Sequence, residues 1–172
     1  RLKSPPGNFR SVDLNRTTVD EYIAEEVTKG RLVQLSQGAP PVRSNPIGII
    51  PKPHQPGKFR LIVDLSAPPD FSVNDGISAA LCSLRYVTVD RAARLVKDCG
   101  QGALMAKIDL QSAYRHIPVH PEDQHLIGIE WDGKAYLDQA LPFGLRSAPK
   151  LFTAVADGLA WAMQQEGVLN SM

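Results

Sequence analysis

The chain has 172 residues, of which 43% are hydrophobic, and its formal net charge is +1. This length and composition predict a single domain of ordinary size with a buried core. No run of apolar residues is long enough for a membrane-spanning helix, and the N-terminal residues do not resemble a secretory signal. Cys82 and Cys99 lack the spacing of a disulfide framework or a zinc site, which favours reduced thiols in an intracellular protein.

The charge is unevenly distributed along the chain. Residues 1–60 carry ten Lys and Arg against five Asp and Glu, a net charge of +5, whereas residues 61–172 carry nine against thirteen, a net charge of −4. A basic first part beside an acidic second part suits a polyanion held next to a metal-binding acidic surface. An excess of this size can equally arise by chance.

The first part of the chain is predicted to be an irregular arm followed by a helix. Residues 1–16 contain a Pro-Pro-Gly sequence and show no periodicity. Thr18 can cap a helix, with Glu21 at the spacing of a capping box, and Gly30 is suited to end that helix. The helix would have apolar residues on one side, because helical spacing is followed by Val19, Tyr22, Ile23, Glu26 and Val27. Residues 36–46 are rich in Pro, Gly and Ser and are predicted to form a loop.

A β-hairpin is predicted next. Residues 47–50 form a short apolar strand, residues 52–57 have the composition of a turn, and residues 58–65 alternate between apolar and polar side chains. Three basic residues lie at or near the hairpin tip: Lys52, Lys58 and Arg60. They are either a solvated charged edge that discourages aggregation or a grip on phosphate groups, for which the forked guanidinium of Arg is well suited.

Residues 66–86 are predicted to be irregular, and Thr88 is predicted to cap a second helix that ends near Gly100. That helix is expected to turn Ala92, Leu95 and Val96 towards the core.

A buried strand is predicted over residues 103–109, and it ends in Asp109. An acid at the tip of a rigid strand is a common arrangement for holding a metal ion. An Asp after a strand also often caps the next turn, so this stretch alone favours the capping role. Tyr114 follows five residues later.

The last part of the chain predicts a second hairpin and a third helix. Residues 125–131 and 134–141 flank Asp132 and Gly133, a dipeptide that favours a tight turn. The helix is predicted to begin at Ser147. Its apolar stripe is expected to face the core and comprises Leu151, Phe152, Val155, Leu159 and Met163. Helices and antiparallel strands thus mix without a β-α-β rhythm, which indicates an α+β fold.

Five segments resemble, in order, those of reverse transcriptases, the RNA-directed DNA polymerases. TTVDEYIAEEVTKGRLVQL resembles the helix before the fingers, NPIGIIPKPHQPGKFRLIVDLS resembles the fingers hairpin, and FSVND resembles the segment after it. ALMAKIDLQSAYRHIPVHP resembles the first catalytic motif of the palm, and LPFGLRSAPKLFTAVAD resembles the next nucleotide-contacting motif. The amino-acid sequences of these motifs are most similar to those of DIRS-type retrotransposons, with Gypsy-type and retroviral enzymes as more distant relatives.

The resemblance implies a right-hand polymerase fold with fingers and a partial palm. Residues 1–16 would be an N-terminal arm, residues 17–101 the fingers with the preceding helix, and residues 102–172 the first part of the palm. The implied reaction is two-metal nucleotidyl transfer from a dNTP onto a primer paired to an RNA or DNA template. The implied partners are this template-primer and the dNTP, with no membrane.

The resemblance also implies the residues of a metal site. Asp109 matches the first metal-binding aspartate, and the backbone carbonyl of Leu110 would complete part of the same shell. Mg²⁺ is the implied ion because it prefers oxygen ligands, with two ions in the complete enzyme and Mn²⁺ as a substitute.

The incoming nucleotide would be held by residues from several segments. Lys52 and Arg60 match the basic residues that hold the triphosphate, and Lys58 is a rival of Lys52 for part of that role. Tyr114 matches the aromatic residue that closes the sugar pocket against a ribose 2′-hydroxyl, beside a small Ala113. The remaining matches are Phe143 and Gly144 on the nucleotide-contacting motif, and Asp64, which is expected to be structural and to orient a basic neighbour.

Two departures from the family pattern are informative. Phe143 stands where many retroviral enzymes have a Gln that contacts the nucleotide, so Phe143 can only pack against sugar or base. The paired aspartate of the Y-x-D-D motif, which supplies the second metal-binding acid, does not occur in the 172 residues. We therefore expect a fragment that is inactive without the rest of the palm, the thumb and any RNase H domain.

Two alternatives remain open. The chain can be a non-catalytic retroelement remnant that folds and binds nucleic acid through its basic first part. A different polymerase lineage, such as an intron-encoded enzyme, fits the wording of the motifs less well.

Overall fold

The computed structural model describes residues 6–53 and 55–167. These residues form an α+β fold of four helices and six strands, with four short 3₁₀ turns in the connections. The helices are α1 (Arg10–Asp13), α2 (Arg16–Thr28), α3 (Val89–Cys99) and α4 (Ala148–Gln165). The strands are β1 (Leu32–Gln34), β2 (Ser44–Asn45), β3 (Ile47–Pro51), β4 (Phe59–Val63), β5 (Gly128–Trp131) and β6 (Lys134–Asp138).

The strands form two sheets. The larger sheet has the order β1-β6-β5-β2, and β3 pairs with β4 in a separate two-stranded sheet. All pairs are antiparallel except β2 with β5, so the sheet is mixed rather than wholly antiparallel as predicted. Short β2 lies at the end of the predicted loop, where its pairing with a distant strand could not be inferred from local composition. The larger sheet takes two strands from each side of residue 101, and the division into fingers and palm stays a prediction.

Both predicted hairpins are confirmed. In the first, Ile50 lies opposite Arg60, which places the basic side chain on the less buried face while Leu61 points into the core. In the second, Asp132 and Gly133 have φ angles of 50° and 70°. Positive φ at both central positions is the geometry of a type I′ turn, whose twist matches that of the flanking strands.

The N-terminal arm is more ordered than predicted. Its residues include α1, whose Val12 is fully buried, and the Phe9 N–H donates a 3.0 Å hydrogen bond to the Ile47 carbonyl. A single helical turn is too short to produce a periodic pattern, and it is stabilised here by packing against β3. The prediction of a wholly irregular arm was therefore wrong for residues 9–13, while residues 1–5 lie outside the described residues.

Helix α2 begins before the predicted cap. Asn15 occupies the N-cap position without a side-chain cap bond, and Thr18 lies inside the first turn, so the predicted capping box was wrong. The predicted end at Gly30 is confirmed by its φ of 66°. The Arg31 N–H donates to the Glu26 carbonyl at 2.9 Å, which completes a Schellman motif at this terminus.

The core lies among α1, α2, the first hairpin and strands β1, β5 and β6. Its buried side chains are Val12, Val19, Ile23, Leu32, Ile47, Ile49, Leu61, Val63, Leu65, Ile127, Ile129, Trp131 and Tyr136. On α2, the predicted apolar face packs at Val19 and Ile23, with Tyr22 partly buried against the core, whereas Val27 is 40% exposed. Among the described residues, no helix combines the length and apolarity that a membrane crossing would require.

The strand predicted over residues 103–109 does not form. Leu104 is 99% exposed, Met105 is 78% exposed, and the segment has no regular secondary structure and no strand partner among the described residues. A strand needs a neighbour to satisfy its backbone groups, and in the described part of the chain this segment pairs with no strand of either sheet.

Helices α3 and α4 form where predicted but lie at the surface. The Thr88 hydroxyl accepts from the Arg91 N–H at 3.3 Å, as the cap prediction required. None of the α3 residues is buried, so the prediction of an inward face was wrong for Ala92, Leu95 and Val96. The α4 stripe is also uncovered, with Leu151, Val155 and Leu159 exposed and Phe152 and Met163 half-buried. Sequence periodicity identifies an apolar face but does not show what covers it.

Candidate nucleotide site

Three of the predicted site residues come together in one cluster of cationic and aromatic side chains. The Arg60 guanidinium lies over the Phe143 ring, with its central carbon 5.4 Å from the ring centroid. The Phe143 and Tyr114 centroids are 5.2 Å apart, and Tyr114 meets Phe152 edge-on at 5.7 Å. Cation–π and tilted aromatic contacts of this kind favour a defined arrangement of the side chains. Residues from three distant segments thus form one surface.

The Leu141–Gly144 segment is held tightly against β4. Gly144 has a φ of 103°, and a Cβ atom built on it would lie closer than 3.0 Å to the Val63 carbonyl oxygen. Only glycine combines this conformation with so close a backbone approach. The contact fixes Phe143 beside the strand that carries Arg60.

Asn74 connects the same segment to the loop after the first hairpin. Its amide nitrogen donates to the Gly144 carbonyl and to the Ser66 hydroxyl, both at 2.9 Å. Its carbonyl oxygen accepts from the Arg146 N–H at 2.8 Å. The Asn74 side chain is buried and makes three hydrogen bonds, so it fixes the loop after the first hairpin against the segment that contains Gly144.

The other predicted basic residues lie at the hairpin tip. The Lys52 N–H donates to the Lys58 carbonyl at 2.8 Å, which closes the turn. Lys52 is half-buried and Lys58 is exposed. Asp64 is half-buried, and its carboxylate accepts from the Ser66 N–H at 2.9 Å. The expected structural role of Asp64 is thus to stabilise a local turn, with no ion pair to a basic neighbour among the described residues.

Asp109 and Leu110 lie on the exposed segment without regular secondary structure, just before the turn that carries Ala113 and Tyr114. A carboxylate and a backbone carbonyl are oxygen donors of the type that Mg²⁺ prefers. Within residues 6–53 and 55–167, no group of three or more acidic, His or Cys side chains is placed to hold a metal ion. The donor type therefore fits Mg²⁺, but these residues alone do not enclose an ion.

The sequence did not reveal the most extensive polar contacts of the chain, which centre on Arg115. Its Nη1 donates to both carboxylate oxygens of Asp138 at 2.8 and 2.7 Å and to the Ala140 carbonyl at 2.9 Å. Its Nε and Nη2 donate to Glu26 at 3.0 and 2.8 Å, and Glu26 also pairs with Arg31. We call these four charged residues the Arg115 network. A signal existed, because Glu26 falls on the apolar face of α2, where a buried acid requires a partner.

Burial and neighbouring charges shift the pKa values of Arg115, Asp138 and the adjacent Tyr22, and burial raises the pKa of Asp138. Burial by itself lowers the pKa of Arg115, but Asp138 and Glu26 outweigh it, and the net effect raises the pKa. Burial also raises the pKa of the neighbouring Tyr22 to about 12, against an opposing effect of Arg115. At neutral pH the guanidinium is charged and the Tyr22 hydroxyl is neutral.

A large cavity lies elsewhere. It has a volume of about 570 Å³ and is lined by the loop at residues 72–77, the segment at residues 118–127 and the start of α4. None of the predicted site residues lines it. The size of this cavity does not make it the functional site, because the residues predicted to contact a nucleotide lie in the cluster of Arg60, Phe143 and Tyr114.

Comparison with known proteins supports the fold. No family model matches the chain. The chain is 25% identical to the Pro-Pol polyprotein of Simian foamy virus type 1 over 139 aligned residues, and this alignment covers 81% of the chain. It is 28% identical over 110 residues to the Pro-Pol polyprotein of Feline foamy virus, which covers 64% of the chain. The matched parts span 11% and 8% of these two polyproteins.

Solved structures give the same result. The foamy viral protease-reverse transcriptase in complex with double-stranded DNA has a TM-score of 0.60 at 22% identity, over 90% of the chain and 24% of the solved chain. The chain has a reverse-transcriptase-like fold. The complex of the foamy viral enzyme with an RNA/DNA hybrid also has a TM-score of 0.60, at 19% identity, over 93% of the chain and 19% of the solved one. This reverse-transcriptase-like fold agrees with the resemblance to retroviral and retroelement enzymes, while the DIRS or Gypsy subtype stays a prediction.

Proposed function

We propose that this chain is the fingers and first part of the palm of a retroelement RNA-directed DNA polymerase, with motifs most like those of the DIRS type. The observation that carries the proposal is the Arg60–Phe143–Tyr114 cluster. These side chains come from three segments to which the resemblance assigns contacts with the incoming nucleotide. If the match of the short motifs were accidental, there would be no reason for these three side chains to lie in contact in the fold.

The cluster suits a dNTP. Arg60 offers a guanidinium to the triphosphate, with Lys52 or Lys58 adding positive charge from the hairpin tip. Tyr114 forms the wall that a 2′-hydroxyl would strike, Ala113 leaves space for the sugar, and Phe143 packs against sugar or base. Gly144 and Asp64 keep the surrounding backbone in place.

Asp109 and the Leu110 carbonyl would hold Mg²⁺, or Mn²⁺ in its place. When bound, the metal supplies activation of the primer hydroxyl and neutralisation of phosphate charge. The further acidic ligands must come from outside the described residues, since these contain no acidic cluster. Residues 1–172 alone are therefore inactive in this proposal.

The exposed apolar surface suits the rest of a polymerase. The unpaired segment at residues 103–110 and the uncovered stripe of α4 would pack against the remainder of a palm. A primer-template is the proposed partner, by analogy with the foamy viral enzyme, whose structures hold double-stranded DNA and an RNA/DNA hybrid.

The test is primer extension on an RNA template by a polymerase that contains residues 1–172. Asp109→Asn should abolish incorporation, because a carboxamide is a poor ligand for a hard cation. Arg60→Ala should raise KM for the dNTP, whereas Arg94→Ala, an exposed Arg on α3, should leave extension unchanged. Extension that survives Asp109→Asn would refute the polymerase proposal.

The alternative function is non-catalytic binding of nucleic acid. The +5 charge of residues 1–60 and the lack of an acidic cluster among the described residues favour it. The two proposals differ in a binding assay with residues 1–172 and a labelled RNA/DNA duplex. A simple binder should weaken with Arg60→Ala, lose affinity with salt, and be unaffected by Asp109→Asn.

A further inference from the structure

The guanidinium of Arg115 is buried and saturated with acceptors, yet the proposed function gives it no role. Arg115 is 6% exposed, and Glu26 and Asp138, its carboxylate partners, are 3% and 4% exposed. A buried ion network of this kind is costly to desolvate and is a poor source of net stability compared with apolar packing. Its geometry therefore calls for another explanation than stability alone.

The network joins the two segments that carry the aromatic cluster. Arg115 directly follows Tyr114 in a tight turn, where the Arg115 N–H donates to the Ser112 carbonyl at 2.8 Å. Its Nη1 reaches the Ala140 carbonyl, three residues before Phe143. One guanidinium thus holds the backbone next to Tyr114 and the backbone leading to Phe143.

The network and the cluster also line one small void. This void has a volume of about 10 Å³, and its lining includes Tyr22, Arg115, Asp138 and Phe143. This space is too small to absorb a displaced side chain. A shift of the guanidinium would therefore press on Phe143 and, through the 5.2 Å ring contact, on Tyr114.

We propose that Arg115 is a positioning residue for sugar selection, which fixes the separation of Tyr114 and Phe143 so that deoxynucleoside triphosphates are accepted and ribonucleoside triphosphates are rejected. The proposal rests on the polymerase function above. To reject a 2′-hydroxyl, the gap between the Tyr114 ring and the 2′ carbon of the bound sugar must be too small for an oxygen atom. The position of the Tyr114 ring must therefore be fixed to within a fraction of an ångström. Five hydrogen bonds from a planar fork to two helix- and strand-borne carboxylates and one carbonyl provide such a fixed point.

The experiment compares kcat/KM for a dNTP and the matching rNTP in the polymerase that contains this chain. Arg115→Met removes all the hydrogen bonds, and Arg115→Lys retains the charge but loses the fork. Val12→Ala is the control, because it leaves a cavity in the core at α1 and destabilises the fold. This substitution does not remove any hydrogen bond of the Arg115 network.

We expect selectivity for the dNTP to fall about tenfold or more in Arg115→Met and less in Arg115→Lys, since small misplacements at a reacting site have large kinetic effects. The loss should come from improved use of the rNTP as well as poorer use of the dNTP. Val12→Ala should retain the original ratio at a temperature where it is folded. Equal selectivity in Arg115→Lys and the unaltered enzyme, or an equal loss in Val12→Ala, would overturn the proposal.

Arg115→Lys decides the matter where Arg115→Met does not fold. Asp109→Asn separates this inference from the proposed function. If Asp109→Asn retains incorporation, the polymerase proposal itself fails. If Asp109→Asn abolishes incorporation while the Arg115 variants retain selectivity, only the positioning role is wrong.

Discussion

The Gly144→Ala substitution tests how closely the nucleotide-contacting segment approaches the first hairpin. Gly144 has a φ of 103°, and an added Cβ would meet the Val63 carbonyl oxygen at less than 3.0 Å. Val63 is a buried residue in β4, so this oxygen cannot move away without disturbing the core.

Two costs contribute. An L-residue at a positive φ of this kind costs about 1–2 kcal/mol. The overlap with a fixed backbone oxygen adds about 1–3 kcal/mol, as overpacking does elsewhere in protein interiors. The free energy of unfolding should therefore fall by about 3 kcal/mol, a large share of the stability of a domain this size.

Urea denaturation followed by circular dichroism measures the change, with two matched glycine variants as controls. Gly57 has a φ of 78° with no atom within 4 Å of an added Cβ, so Gly57→Ala should cost about 1 kcal/mol from strain alone. Gly158 lies in α4 with open space around it, so Gly158→Ala should stabilise the helix by up to about 1 kcal/mol. A Gly144→Ala cost no greater than that of Gly57→Ala would show that the close approach to Val63 is not real.

Three further predictions concern single side chains. Asn74→Ala should lower the free energy of unfolding by about 1–3 kcal/mol in the same urea assay, because it removes the three hydrogen bonds of a buried side chain. Tyr22 has a pKa of about 12 in the folded chain against 10.0 for the free side chain, so its stabilising effect is complete below pH 10 and is lost as the pH rises through 12. The unaltered chain should therefore lose about 3 kcal/mol more stability than Tyr22→Phe between pH 9 and 12.5, and parallel curves would contradict this assignment. Thr88→Ala should weaken the first turn of α3 by about 1 kcal/mol, seen as faster hydrogen exchange at the Arg91 amide, and unchanged exchange would show that the cap contributes nothing.

Local features of this protein were predictable because their causes lie within a few residues. The turn at Asp132 and Gly133, the end of α2 at Gly30 and the cap at Thr88 each depend on the conformational preferences of one or two residues. The α2 stripe and the alternation of β4 followed from periodicity. The order of segments was also enough to indicate the polymerase-like fold and to propose Arg60, Tyr114 and Phe143 as members of one site.

Features that depend on distant partners were decided only by the tertiary structure. Residues 103–109 have the composition of a strand, but a strand forms only where a neighbouring edge accepts its hydrogen bonds. Similarly, an apolar stripe on α3 or α4 does not specify which surface covers it. The hydrogen bonds of the Arg115 network join residues up to 89 positions apart in the sequence. These charged side chains need one another as partners only because the fold buries them away from water.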